Sequence, residues 1–260
     1  MRCLFVTAED YGLEKEVSKG ILQACSYGIV TGISVLVNKA SEEEMLWLKD
    51  YPQIGLGVHL NLNRGKPVLP PQSVPSLVDA QGFLLPRWKD TREHARPEEI
   101  EQEYDAQIQR FLSFQLPLHH LNTHLHLHIH PQILEIVLRL AKRYHTAVRS
   151  PTESVRQRLR AENIPTTDHF LYDFYDEPEI TPNGFLRLLS ELPQGTTEMT
   201  CHPGIVTEAL FSESRYVYQR GVELGTLTRK DIRDFLKRKR IRLCSFARDI
   251  KRLTAGRFPG

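Results

Sequence analysis

Short runs of aliphatic and β-branched residues alternate with helical patterns along most of the chain. Strand-like runs are predicted at residues 3–8, 30–37, 54–62, 118–130, 147–149, 169–174, 196–201 and 242–246. Helical patterns are predicted at 15–27, from 41, at 97–115, 132–145 and 153–161, from 182, and at 228–239. This alternation predicts an α/β fold with a mainly parallel sheet, either closed into an irregular barrel or left open. No linker divides residues 1–260, so one domain is expected, with a proline-rich loop or lid at about 63–97.

The most unusual segment runs from His119 to His130 and reads HHLNTHLHLHIH. From His124 onward, histidine alternates with leucine or isoleucine, which predicts a strand with imidazoles on one face and aliphatic side chains in a core. Imidazole binds transition metals and exchanges protons near neutral pH. Positions i and i+2 lie about 6.5 to 7 Å apart on a strand, so one or two of these histidines are expected to reach one ion. A metal-buffering tract is disfavoured because an amphipathic helix follows.

Polar and titratable residues follow the predicted strands where each one ends. These residues are Glu9, Asp10, Asn38, His59, His124, Arg149 and His202. In parallel α/β folds the carboxyl ends of the strands converge on the active site. We therefore expect these side chains to lie near one another, although each could also be a helix cap, a turn residue or an ordinary buried polar group.

A catalytic divalent-metal site needs about three protein ligands, an open position and a group that takes a proton from water. The residues that supply these parts are Glu9, Asp10, His59 and His124. Side chains of adjacent residues point in different directions on an extended backbone, so one acid can bind the ion while the other faces the water or the substrate. His202, in the sequence CHPG, could protonate a leaving amine.

Composition narrows the range of partners. Lys plus Arg number 34 and Asp plus Glu 32, so the net charge of +2 predicts neither nucleic-acid nor membrane binding. No apolar stretch approaches the roughly 20 residues of a membrane span, and the first residues, MRCLFVTAEDYG, do not read as a signal peptide. The four cysteines lack C-x-x-C spacing, which favours reduced thiols and a cytoplasmic protein.

The ordered set of motifs resembles the YdjC-like carbohydrate deacetylases, a group that includes chitooligosaccharide deacetylases and hopanoid-associated proteins. The matching segments are TAEDYGLEKEVSKGI, GIVTGISVLVN, GLGVHLNLNRGKPV, HLNTHLHLHIHP, VRSP, TTDHF, EMTCHPG and LTRKDIRDFLKRKRIRLCSF. Each segment is short, but their joint order covers nearly the whole chain. The resemblance implies a distorted (β/α) barrel that removes the N-acetyl group from an amino sugar by metal-activated water.

The resemblance also implies roles for single residues. Asp10, His59 and His124 would bind a divalent metal, Mg²⁺ by association with the family, although Zn²⁺ suits two imidazoles and a carboxylate equally well. Glu9 would act as base and His202 as acid or oxyanion support. The residues predicted to contact the substrate are Asn38, His126, His128 and Arg149. The substrate would be an N-acetylated oligosaccharide or a glycolipid, and a homodimer is implied by the family alone.

Two positions depart from the family pattern. Glu9 stands where the family usually has aspartate and extends the carboxylate by about 1.5 Å. Asn122 stands where an aspartate is common, and a neutral amide lacks the carboxylate that would orient a ligand histidine; together with residues 68–82 it points to the hopanoid-associated branch. Two alternatives stay open: a metal-dependent phosphoesterase or amidohydrolase of similar architecture, and a non-catalytic sugar-binding relative in which Glu9 has replaced the base.

Overall fold

The computed structural model describes residues 1–254, which contain eight strands and eleven α-helices. The strands are β1 (Arg2–Tyr11), β2 (Gly32–Val35), β3 (Gly55–Leu60), β4 (His120–Thr123), β5 (Ala147–Val148), β6 (His169–Leu171), β7 (Gly195–Cys201) and β8 (Ile241–Cys244). The helices are α1 (Lys15–Tyr27), α2 (Glu42–Trp47), α3 (Trp88–Thr91), α4 (Pro97–Ser113), α5 (Pro131–Tyr144), α6 (Glu153–Ala161), α7 (Pro182–Ser190), α8 (Leu210–Glu213), α9 (Tyr218–Leu227), α10 (Lys230–Arg238) and α11 (Phe246–Thr254). Within residues 1–254, no helix is both long enough and apolar enough to cross a bilayer.

The strands pair in parallel and form one curled sheet in the order β5-β4-β3-β2-β1-β7-β6. The eighth strand, β8, pairs with the first half of β1, while β2 pairs with its second half. Helices connect most successive strands and bury their apolar faces against the outer side of the sheet. The curled parallel sheet is consistent with a distorted (β/α) barrel, so the predicted α/β fold class is confirmed.

Alternate residues of β1 face two different cores. Leu4 and Val6 belong to the large core under the helices, whereas Cys3 and Phe5 pack with Phe246 in a small cluster inside the curl. Because side chains alternate along a strand, the later residues Thr7 and Glu9 continue the inner face. The interior of the curl is therefore apolar where the strands begin and polar where they end.

The first and last strands are joined covalently. Cys3 on β1 and Cys244 on β8 form a disulfide, while Cys25 and Cys201 are free thiols. The expectation of four reduced cysteines is therefore wrong for this pair. The two cysteines are 241 positions apart in the sequence, and only the pairing of β8 with β1 brings them together.

The histidine run does not continue as a strand, contrary to the prediction from its alternation. Thr123, the last residue of β4, pairs with Leu60, the last residue of β3, so no neighbouring strand remains for the following residues. The chain instead turns through 3-10 geometry over His124–Ile129, with Leu125 in the left-handed region at φ 55°. Leu125 is 63% exposed and Ile129 45% exposed, so the predicted aliphatic face does not form.

Residues 63–97 form a long connection from β3 to α4 that includes only the short helix α3 and a 3-10 turn. Buried carboxylates of α4 fasten this connection. Glu103 accepts hydrogen bonds from the backbone of Val68 at 2.9 Å and Leu69 at 3.0 Å, and Glu99 accepts one from Ser76 at 2.8 Å. That this segment acts as a lid stays a prediction.

Candidate active site

Asp10, His59 and His124 meet at the carboxyl ends of β1, β3 and β4. All three are buried, and one ligand atom from each lies within 4.8 Å of the other two. The pairing of β1 with β2 is irregular between Ala8 and Tyr11, and Asp10 adopts a φ of 64°. This local break turns Asp10 toward the cavity that Glu9 also lines, which a regular strand would not allow for two adjacent residues.

The two histidines of this triad are oriented by amide side chains. The Nδ1 of His59 lies 2.7 Å from Asn122 Oδ1, and the Nδ1 of His124 lies 2.6 Å from Asn63 Oδ1. An amide oxygen only accepts hydrogen bonds, so each Nδ1 carries the proton and each Nε2 lone pair is left for a metal. Asn122 therefore orients His59 through its amide oxygen, although it lacks the carboxylate of the family pattern.

The triad fits a divalent cation by its unsatisfied atoms. Within residues 1–254, His59 Nε2 and Asp10 Oδ1 are buried without a hydrogen-bond partner, and they lie 3.8 Å apart. Buried polar atoms rarely lack a partner, so this pair indicates a missing ligand. Burial lowers the pKa of His124 to about 3 despite the nearby Asp10 carboxylate, and the neutral imidazole is the form that binds metals.

Glu9 lies beside the triad with one carboxylate oxygen anchored and the other facing inward. Its Oε1 accepts a hydrogen bond from Asn122 at 3.0 Å and forms an ion pair with Arg149. Its Oε2 lies 3.3 Å from His202 Nε2 and 3.7 Å from His59 Nε2. Burial raises the pKa of Glu9, but its polar neighbours, chiefly the charge of Arg149, outweigh burial and hold the pKa well below the usual value. Glu9 is therefore an ionised carboxylate with a fixed direction.

Arg149 is fully buried behind Glu9 and connects it to a second acid. Its Nη2 donates to Glu198 Oε1 at 2.7 Å, and its guanidinium lies over the ring of Phe170. Arg149 therefore positions Glu9 instead of lining the cavity.

Replacing Arg149 by methionine is expected to lower the free energy of unfolding by about 3 to 5 kcal/mol, because two buried carboxylates would lose their counter-charge. Urea unfolding followed by circular dichroism measures this change. Arg158 is the matched control, since it also pairs with two acids but is 43% exposed, and its replacement by methionine should change stability little. An equal loss of unfolding free energy in the two variants would contradict the interpretation that Arg149 balances two buried carboxylates.

His202 follows β7 and faces Glu9 from the opposite side to Arg149. Its backbone N–H donates to Glu223 Oε2 at 2.5 Å, and its Nδ1 lies 3.9 Å from Glu223 Oε1. Burial lowers the pKa of His202, but the contact with Glu9 and the charge of Glu223 outweigh burial, so the pKa is raised overall. Glu223 also accepts a hydrogen bond from the Tyr216 hydroxyl at 2.5 Å, and burial raises the pKa of Glu223 to about 7.

Helix α9, which the sequence pattern does not predict, contributes two functional candidates one turn apart. Arg220 donates to Asp10 Oδ2 at 2.6 Å, and Glu223 supports His202. Both side chains are buried. A buried arginine and glutamate at i and i+3 are visible as a pattern only once the helix is known, because their partners come from strands far away in the sequence.

A cavity of about 1130 Å³ lies beside the triad, and its polar lining includes Glu9, Asp10, His124, His202 and Arg220. His126, which is predicted to contact the substrate, lines this cavity. Asn38 and His128 lie elsewhere. The Asn38 amide donates to the backbone oxygens of Arg64 and Lys66, and both ring nitrogens of His128 lie within hydrogen-bond distance of a partner. Their contact with substrate stays a prediction, without support from their positions.

The aromatic and apolar residues that line the cavity were not predicted. They are Leu125, Ile129, Phe170, Tyr172, Tyr175, Phe211 and Tyr216. They come from three separate segments, so no local sequence pattern marks them as one surface.

Known proteins resemble this chain along nearly its full length. The family model described as YdjC-like protein matches residues 3–238. A carbohydrate deacetylase of Brevibacillus brevis is 37% identical over 250 residues, covering 94% of this chain and 98% of the relative. A chitooligosaccharide deacetylase of Salmonella paratyphi B is 34% identical over 257 residues, with 94% and 98% covered. A crystal structure from Enterococcus faecalis, provisionally described as a cellobiose-phosphate cleavage protein, matches with a TM-score of 0.86 at 29% identity, covering 94% of this chain and 97% of that one. The chain therefore belongs to the YdjC-like family.

Proposed function

We propose that this protein is a metal-dependent hydrolase that removes the N-acetyl group from an N-acetylated amino sugar. The observation that carries the proposal is the Asp10-His59-His124 triad at the edge of one cavity, which Asp10 and His124 line together with the facing pair Glu9 and His202. The relatives named carbohydrate deacetylase support a sugar as the substrate.

The roles of the residues follow from their contacts. A divalent cation held by Asp10, His59 and His124 would polarise the acetamide carbonyl and make water more acidic. Glu9 would take the proton of the attacking water at Oε2, because its Oε1 is occupied by Arg149 and Asn122. His202 would give a proton to the amide nitrogen as the C–N bond breaks. The products are acetate and a free amine.

The cation is either Mg²⁺, which the family resemblance implies, or a borderline transition ion such as Zn²⁺. Two imidazole nitrogens and a carboxylate oxygen are a donor set that both Zn²⁺ hydrolases and other transition-metal enzymes use. Elemental analysis of the purified protein distinguishes the two.

The mouth of the cavity supports an extended substrate, either an oligosaccharide or a glycolipid. Leu125, Tyr172 and Phe211 are each at least half exposed and line the opening. Such surfaces stack against the apolar faces of sugar rings or contact a lipid. The cavity also exceeds the space that one monosaccharide fills.

The direct test is acetate release from N-acetylated chitooligosaccharides and from an N-acetylglucosaminyl glycolipid, with Mg²⁺ or Zn²⁺ added. Turnover of either class supports the proposal and identifies the substrate. Hydrolysis of phosphate esters with no acetate release would favour the phosphoesterase alternative. Saturable sugar binding with no turnover of either class would favour the non-catalytic alternative.

Replacing Glu223 by glutamine is expected to move the high-pH fall in kcat to lower pH. Activity falls as pH rises when His202 loses the proton it donates, and Glu223 helps to raise the pKa of His202. Because the pKa of Glu223 is itself about 7, the carboxyl is mostly uncharged below that pH, and the two proteins should differ mainly above it. The pH profile of kcat measures the shift. Glu177, which is exposed, is the control, and its replacement by glutamine should leave the profile unchanged.

A further inference from the structure

Arg220 is a buried cation beside the triad that the proposed mechanism does not use. Its Nη2 donates to Asp10 Oδ2 at 2.6 Å, its Nε to the backbone oxygen of Tyr216 at 2.9 Å, and its Nη1 to that of His202 at 3.4 Å. The side chain is 2% exposed. Each nitrogen of the guanidinium is held, so the charge is fixed in place.

The contact with Arg220 leaves only one oxygen of the Asp10 carboxylate for a metal ion. Oδ2 is occupied by Arg220, and only Oδ1, which is buried without a hydrogen-bond partner within residues 1–254, faces the triad. A guanidinium stays charged at every physiological pH, so the sharing is permanent. A metal ion therefore meets one oxygen of a carboxylate whose charge is already partly neutralised.

Glu9 is the other acid beside the triad. Its Oε1 is paired with the buried Arg149, which also pairs with Glu198, and its Oε2 lies 3.3 Å from His202 Nε2. Both acids next to the triad therefore share a buried guanidinium. The triad itself offers a dication two imidazole nitrogens and one shared carboxylate oxygen. Mg²⁺ prefers oxygen ligands and depends on carboxylate charge, whereas Zn²⁺ and related ions bind imidazole nitrogen strongly and accept four ligands.

We infer that Arg220 determines the metal specificity of this site: by occupying one oxygen of Asp10 and adding a fixed positive charge, it disfavours Mg²⁺ and leaves a site for a borderline transition ion such as Zn²⁺. The inference rests on the proposed function only in taking the triad as the metal centre. It assigns Arg220 a positioning and electrostatic role, without contact with the substrate.

The test is calorimetric titration of the metal-freed full-length protein with Zn²⁺ and with Mg²⁺, for the wild type and for R220Q, R220M and R220K. Removing the charge and freeing Oδ2 is expected to raise the affinity for Mg²⁺ about tenfold or more in R220Q and R220M, and to narrow the preference for Zn²⁺. R220K keeps the charge, and its affinity for Mg²⁺ should stay within about threefold of the wild-type affinity. R215Q removes an exposed arginine from the same cavity and should not change the ratio of the Zn²⁺ and Mg²⁺ affinities.

Two results would overturn the inference. One is a wild-type protein that binds Mg²⁺ as tightly as Zn²⁺, which needs no variant and so stands even if the substitutions prevent folding. The other is weaker Mg²⁺ binding in both neutral variants, which would give Arg220 only the role of holding Asp10 in place. Neither readout involves deacetylation, so a lack of acetate release with the expected affinities would count against the proposed function alone.

Discussion

Replacing His59 by alanine is expected to remove the bound metal and to lower kcat/KM for deacetylation by at least about a thousandfold, because a metal in such a site supplies several kcal/mol of stabilisation to the transition state. His59 is fully enclosed, its Nδ1 is oriented by Asn122, and its Nε2 has no partner within residues 1–254. Elemental analysis and acetate release measure the two losses separately.

The control for His59 comes from the histidine run itself. His130 is exposed at the start of α5 and lies against the ring of Trp88, away from the triad. Its replacement by alanine should leave metal content and turnover unchanged. If both variants lose metal equally, the histidine run as a whole holds the ion, and the assignment of the triad as the metal ligands is wrong. If the His59 variant keeps its metal, the triad is not the metal centre.

Replacing Glu9 by glutamine is expected to lower kcat by about a hundredfold to ten-thousandfold while leaving the metal content unchanged, because the amide cannot take a proton from water. The substitution nearly preserves shape, and its amide oxygen can still accept hydrogen bonds from Asn122 and Arg149. Thermal unfolding of the variant checks that the loss of one charge beside Arg149 has not unfolded the site. A variant with full activity would exclude Glu9 as the base.

Replacing Glu9 by aspartate tests whether glutamate acts as the base at this position or is the substitution that abolished catalysis. The shorter side chain withdraws the carboxylate by about 1.5 Å from Arg149 and Asn122, and a displacement of 1 Å can cost about a hundredfold in rate. We therefore expect the aspartate variant to be less active than the wild type. An inactive wild type that gains turnover with aspartate would instead show that this chain is a non-catalytic relative.

The predicted part of the site lies where the strands end. Asp10, His59 and His124 could be placed together because the carboxyl ends of parallel strands share one edge, whatever the exact register. The strand through His130 was wrong because alternation predicts a strand only where a neighbour continues, and β3 stops at Leu60.

The part that could not be predicted depends on contacts between distant segments. Arg220 and Glu223 lie on a helix that no marked sequence pattern predicts. Arg220 acts through Asp10, which is 210 positions away, and Glu223 acts through His202, which is 21 positions away. The sequence shows that Asn122 lacks a charge, but its role depends on the amide oxygen that faces His59 Nδ1. Sequence identifies groups that can do the chemistry more readily than the groups that hold them.

The left-handed conformation of Asp10 makes the two neighbouring acids unequal in the substitutions they can accept. Aspartate and asparagine adopt this backbone region more readily than other residues with side chains, so glutamate would cost more conformational energy at position 10. Position 9 lies in ordinary strand geometry and can exchange one acid for the other during evolution without that cost. Divergence of this acidic pair is therefore expected to run mainly through its first member.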